Sequence, residues 1–120
     1  MHSAYVAVTL ITAVATGAIA LPDFIPAQFV LANSAQVGVP RSWLTALGAA
    51  KLAGAIGLVA GLLVIPGLGI AAAAGLVLYF AGAVLAHLRA RVFYNIAFPG
   101  VYLCLSAATL ALMVTHLAAN

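Results

Sequence analysis

Residues 48–61, GAAKLAGAIGLVAG, set one ammonium group, that of Lys51, among small and apolar residues. The stretch sits inside a longer apolar run from Trp43 to Ile65, long enough as a helix to cross a hydrocarbon core of about 30 Å. Three more runs of that length flank it: Ser3 to Leu21, Gly67 to Leu88 and Asn95 to Ala118. With 68% hydrophobic and 4% charged residues and a mean hydropathy of +1.31, the 120-residue chain lies far outside the composition of water-soluble domains. Lipid offers no partner to an open backbone, and the alternating segments of a β-barrel are missing, so the spans must be helical. The expectation is an all-α integral membrane four-helix antiparallel bundle forming a single domain over residues 1–120.

The first run carries Ala18-Ile19-Ala20, which imitates a leader cleavage site, but no Lys or Arg precedes it, so it is expected to be a span. Pro66 and Gly67 leave only a tight turn between spans two and three. The segment 22–42 is longer and holds Pro26, Gln28, Asn33, Gln36, Gly38 and Pro40. Pro26 suits the first turn of a helix and Gly38 with Pro40 its end, so a short interfacial or re-entrant helix is expected to cap the bundle. The alternative is a longer, tilted first span. Arg41, Arg89 and Arg91 share one end of the bundle, and the Pro66 turn and both termini have no Lys or Arg. The positive-inside rule then puts the arginine end in the cytoplasm and both termini outside, in a multi-pass plasma-membrane protein.

Polar residues fall on single helical faces. On span one Tyr5, Thr9, Thr12, Thr16 and Asp23 recur at spacings of three and four about Ile19, and on span four so do Asn95, Pro99, Tyr102, Ser106, Thr109, Met113 and His116. Hydroxyls gain nothing against acyl chains, so both faces should point inward. Small residues at Ala50, Gly54, Gly57 and Gly61 on span two, and at Gly75, Gly82 and Ala86 on span three, are expected to let backbones approach.

A lysine within the bilayer normally faces a cavity, pairs or deprotonates. Lys51 lies eight residues from Trp43, on the order of 12 Å below the boundary, and its long stem can reach toward Asp23, the one acid in the chain. Tyr79 and Tyr102 fall at comparable depth with Thr12, and His87 and Asn95 lie nearer the arginine end. Lys51, Asp23 and His87 are therefore the candidate acid–base groups, and Tyr79, Tyr102, Thr12, Thr16, Asn95 and Ser106 the candidate ligand contacts. Each has a plainer reading: snorkelling for Lys51, an interfacial position for His87, and bundle packing for the tyrosines. Tyr5 and His116, at the opposite end, read as interfacial anchors.

Other classes find little support. The basic residues form no patch with interleaved aromatics, so nucleic acid is not expected as a partner. Cys104, alone in span four, permits neither an intrachain disulfide nor a cysteine metal cluster. No phosphate loop, dinucleotide motif or metal-spaced His and Cys occurs, so no cofactor and no metal are expected. A transporter would show inverted repeats and broken helices, which are not detectable here.

In GAAKLAGAIGLVAGLL and GLVLYFAGAVLAHLRAR the chain resembles the DoxX-like family of small bacterial four-helix membrane proteins. The resemblance implies a membrane partner of redox enzymes, since the family includes a subunit of a thiosulfate:quinone oxidoreductase, and it carries over Lys51 and His87 alone. A remoter architectural likeness to sterol isomerase-like membrane folds implies an enclosed lipophilic ligand. Two readings are therefore held side by side. One is a pocket for a small lipophilic molecule (quinone, isoprenoid or polyketide-like) with acid–base isomerisation or cyclisation, in a chain surrounded by membrane lipids and able to form a homodimer. The other is a non-catalytic anchor or accessory subunit with a redox-complex partner.

Overall fold

The computed structural model describes residues 2–25 and 27–119. Among these, four helices are long and apolar enough to cross a membrane, and a short fifth lies between the first two. They are α1 (His2–Phe24), α2 (Gln28–Gln36), α3 (Leu44–Leu63, entered through a 3-10 turn over Arg41–Trp43), α4 (Pro66–Ala90) and α5 (Ala97–Ala119). The spanning helices close into a ring in which α1 packs on α3, α3 on α4, α4 on α5 and α5 back on α1.

The boundaries shift from the sequence expectation in physically readable ways. α1 continues past Leu21 through Pro22 to Phe24. The missing N–H of Pro22 costs one bond, to Ala18, and the amides of Ile25 and Ala27 then close the end on Leu21 O (3.2 Å) and Pro22 O (2.8 Å). The longer first span and the capping helix therefore coexist. Pro26, expected in the first turn of that cap, lies outside the described residues. α4 starts on Pro66 itself, which tolerates the first helical position because its absent N–H would have no partner there. Asn95 precedes α5 in a turn, and its carbonyl accepts the amide of Phe98 at 3.1 Å.

α2 and α4 stop with the same hydrogen-bond pattern. Beyond α2, Gly38 takes φ +79°, its N–H reaching Ala35 O and that of Val39 reaching Ser34 O. Beyond α4, Arg91 takes φ 56°, with Arg91 N–H to Leu88 O and Val92 N–H to His87 O. Both are Schellman stops, one on the residue that accepts a left-handed backbone freely and one on a residue that does not.

Close approach is concentrated on α3. A Cβ at Gly61 would collide with the backbone of Gly69, one at Gly57 would meet Ala72 Cβ at 2.7 Å, and one at Gly54 would meet Leu76 Cδ2 at 2.5 Å. Nearer the arginine end the tight face turns toward α1, where a Cβ at Gly48 would meet Asp23 Cβ at 2.9 Å. On α4 the sequence pattern selects the wrong side. Gly75 and Gly82 are exposed, with nothing within 4 Å of an added Cβ, and Gly69, Ala72 and Leu76 make the contact instead. Ala50 is exposed as well.

Candidate functional site

Toward the arginine end the bundle is hollow. A cavity of about 760 Å³ opens among Asp23 of α1, Asn33 of α2, Lys51 of α3, Tyr79 and His87 of α4, and Asn95 ahead of α5. Its apolar wall includes Phe29, Trp43, Leu47, Leu78 and Phe98.

Helix direction explains how the charges meet. Every Cα–Cβ bond tilts toward its helix N-terminus, so Lys51 on α3, which begins at the arginine end, leans outward, and Asp23 on the oppositely running α1 leans inward. Lys51 Nζ lies 2.6 Å from Asp23 Oδ2, with the side chains 10% and 6% exposed. Oδ2 lacks a hydrogen bond of good angle, so charge and distance rather than alignment hold the contact. The ammonium also donates to Ile19 O at 3.5 Å, near the C-terminal end of α1 whose carbonyls carry partial negative charge, and stands 5.8 Å from the centre of the Tyr79 ring. The ammonium thus has a carboxylate, a carbonyl and an aromatic face around it.

His87 follows the same logic. On α4, which ends at the arginine end, the ring leans inward, and the residue is buried within the bundle, 4% exposed. Nδ1 lies 2.8 Å from Ala83 O, and Nε2 is buried with no hydrogen-bond partner. Asn95 Nδ2 donates to Asn33 Oδ1 at 2.7 Å, and Tyr94 OH to Gln36 Oε1 at 2.6 Å, so α2 is tied over the cavity by two side-chain bonds from the α4–α5 connection.

The remaining candidates lie elsewhere. Tyr102 stacks on Phe80 (centroids 5.2 Å apart) behind the wall and donates to Ala15 O at 3.4 Å. Thr12 and Thr109 meet at 2.8 Å across α1 and α5, and both hydroxyls lie within reach of Leu105 O, Thr109 at 2.8 Å and Thr12 at 3.5 Å. Thr16 and Ser106 are fully buried, without hydrogen-bond partners for their hydroxyls, and neither lines the cavity. Five of the nine candidates thus come together in one wall, and the hydroxyls of α1 and α5 form a separate seam below it. Tyr5 and His116 stack at 4.4 Å at the far end of that seam.

Sequence reasoning missed Ser34, Trp43 and Gly82 as cavity residues. For Ser34 the signal was present, since Asn33-Ser34 is a polar pair in the middle of a short helix whose other polar residues, Gln28 and Gln36, lie at its ends. Among the described residues no group of three His, Cys, Asp or Glu side chains is placed to hold a metal ion.

Four apolar helices closed into a ring define an integral, multi-pass membrane protein. Within that class the chain belongs to the DoxX-like family, whose sequence profile matches residues 7–109. No curated protein and no solved structure gives a significant match.

Proposed function

We propose that the cavity at the arginine end binds a small lipophilic molecule, its apolar body against Phe29, Trp43, Leu78 and Phe98 and its polar group toward His87 and Asn95. The observation that carries this reading is the volume of about 760 Å³ bounded by buried polar atoms without partners, His87 Nε2 and Asn95 Oδ1. Each such atom costs about 1–3 kcal/mol when left unpaired, and unlike the hydroxyls of Thr16 and Ser106, which can rotate onto a helix carbonyl, these two lone pairs need a donor from outside their own helix. In this reading Lys51 and Asp23 form a neutral polar wall, Tyr79 covers the ammonium, and any acid–base isomerisation or cyclisation passes its proton through His87. The arginine end faces the cytoplasm, so the molecule enters from that half. A fusion of alkaline phosphatase to the C-terminus should be active, and an inactive one would reverse the orientation.

Gly82 and Gly75 supply the test of the cavity itself. Both sit on α4 in open space, but only Gly82 lines the hollow. Gly82→Phe should lose whatever lipophile copurifies with the native protein in lipid nanodiscs, as read by mass spectrometry, and Gly75→Phe should retain it. Identical retained molecules in both variants would discard the cavity and leave the accessory-subunit reading.

A further inference from the structure

Beyond the ion pair, two buried polar atoms among the described residues of the cavity wall lack hydrogen-bond partners, and their chemistry indicates the molecule they suit. The cation is spent: Lys51 faces Asp23, Ile19 O and the Tyr79 ring. His87 Nδ1 lies 2.8 Å from a carbonyl, which can only accept, so Nδ1 carries a proton, and in the neutral form of the ring Nε2 is left as an acceptor. That atom is buried without a partner in a residue 4% exposed, in the cavity wall. Asn95 adds a second such atom, since one of its two amide N–H groups is used on Asn33 Oδ1 and its own Oδ1 is buried and unpaired. Both orphaned atoms are acceptors.

We infer that the bound molecule is a lipophile carrying a hydroxyl group, a phenol or an alcohol, whose O–H donates to His87 Nε2. This rests on the cavity reading above. An oxidised quinone, a ketone or a carboxylate could accept from Tyr79 O–H or Trp43 Nε1–H but would leave His87 Nε2 unpaired, whereas a hydroxyl donates to Nε2 and still accepts from such a neighbour. Burial makes the distinction steep, because a site built around unpaired polar atoms rejects an analogue that cannot reach them.

The test uses a matched pair, 2-naphthol and 2-methoxynaphthalene, which differ in the O–H donor and little else. Trp43, the single tryptophan of the chain, lines the cavity and reports occupancy through its emission in nanodiscs. 2-Naphthol should bind about tenfold more tightly than its ether. His87→Phe should abolish that preference by weakening 2-naphthol alone, and His87→Gln, which keeps an acceptor, should retain part of it. Gly82→Phe should weaken both probes and so separates cavity binding from partition into lipid. Equal affinity of the two probes in the native protein, or an equal loss of both in His87→Phe, overturns the hydroxyl inference and leaves the cavity standing if Gly82→Phe still blocks them. Absence of any Gly82-dependent binding overturns both.

Discussion

At the Pro66 end, α3 and α4 touch backbone to backbone at Gly61 and Gly69, whereas at the arginine end the same two helices stand apart around a hollow of about 760 Å³. The difference lies in where α3 keeps its glycines. From Gly54 to Gly61 they face α4, and at Gly48 the close approach is to Asp23 of α1, so α3 leans from one neighbour to the other as it rises. In lipid no hydrophobic force pulls helices together, so removing side chains from a face is what lets helices meet, and leaving an unmatched face is what keeps them apart. The closed half is a scaffold. The open half is where polar groups accumulate at a depth that lipid would not tolerate.

Breaking the ion pair should expose that contrast most strongly. Lys51→Met leaves Asp23 buried and unpaired and should cost about 3–5 kcal/mol, read by urea unfolding in detergent. Adding Asp23→Leu to it should recover most of the loss, since an apolar pair of similar size carries no desolvation penalty. If the single variant unfolds like the native protein, the pair is solvated and the open half is wetter than its 10% and 6% exposures imply.

Next come substitutions at equivalent residues in the two halves. Gly61→Val should cost about 1–3 kcal/mol by overpacking against Gly69, whereas Gly82→Ala should be neutral or gain up to about 1 kcal/mol of helix propensity. Equal losses at both positions would erase the distinction between a closed and an open half. The smallest effect belongs to the seam between α1 and α5. A double-mutant cycle on Thr12→Val and Thr109→Val should return a coupling of about 0.6 kcal/mol, the usual worth of an interhelical hydrogen bond in a bilayer. A coupling near zero would reduce the 2.8 Å contact to incidental proximity.

The closed half was readable in advance because its information is periodic. Threonines at three- and four-residue spacing place Thr9, Thr12 and Thr16 on one buried face of α1, and Ser106 and Thr109 on the matching face of α5. What that face does was not readable: Thr12 looks equally suited to a ligand or to Thr109, and only the pairing of helices decides. The pair of Lys51 with Asp23 followed from arithmetic, one base and one acid within reach of each other in a medium that punishes single charges. On α4 the small-residue pattern misled, because Ala and Gly occur on every side of that helix and carry no azimuth. Gly75 and Gly82 therefore read as packing positions when Gly69 and Ala72 fill that role. The hollow itself depends on α2 lying across the ring, held through Asn33 to Asn95 and Gln36 to Tyr94. Those contacts join residues about sixty positions apart, beyond any local pattern.

Arg91 occupies the same left-handed stop that Gly38 fills after α2, without the freedom that glycine brings. Replacing it by glycine would relieve the backbone by about 1 kcal/mol, but it would also remove one of three guanidinium groups from that end of the molecule. Because such groups govern which way a helical hairpin inserts, comfort of the folded chain and correct threading during synthesis pull this single residue in opposite directions. A more stable variant at this position is therefore one with a weaker charge bias to set its orientation.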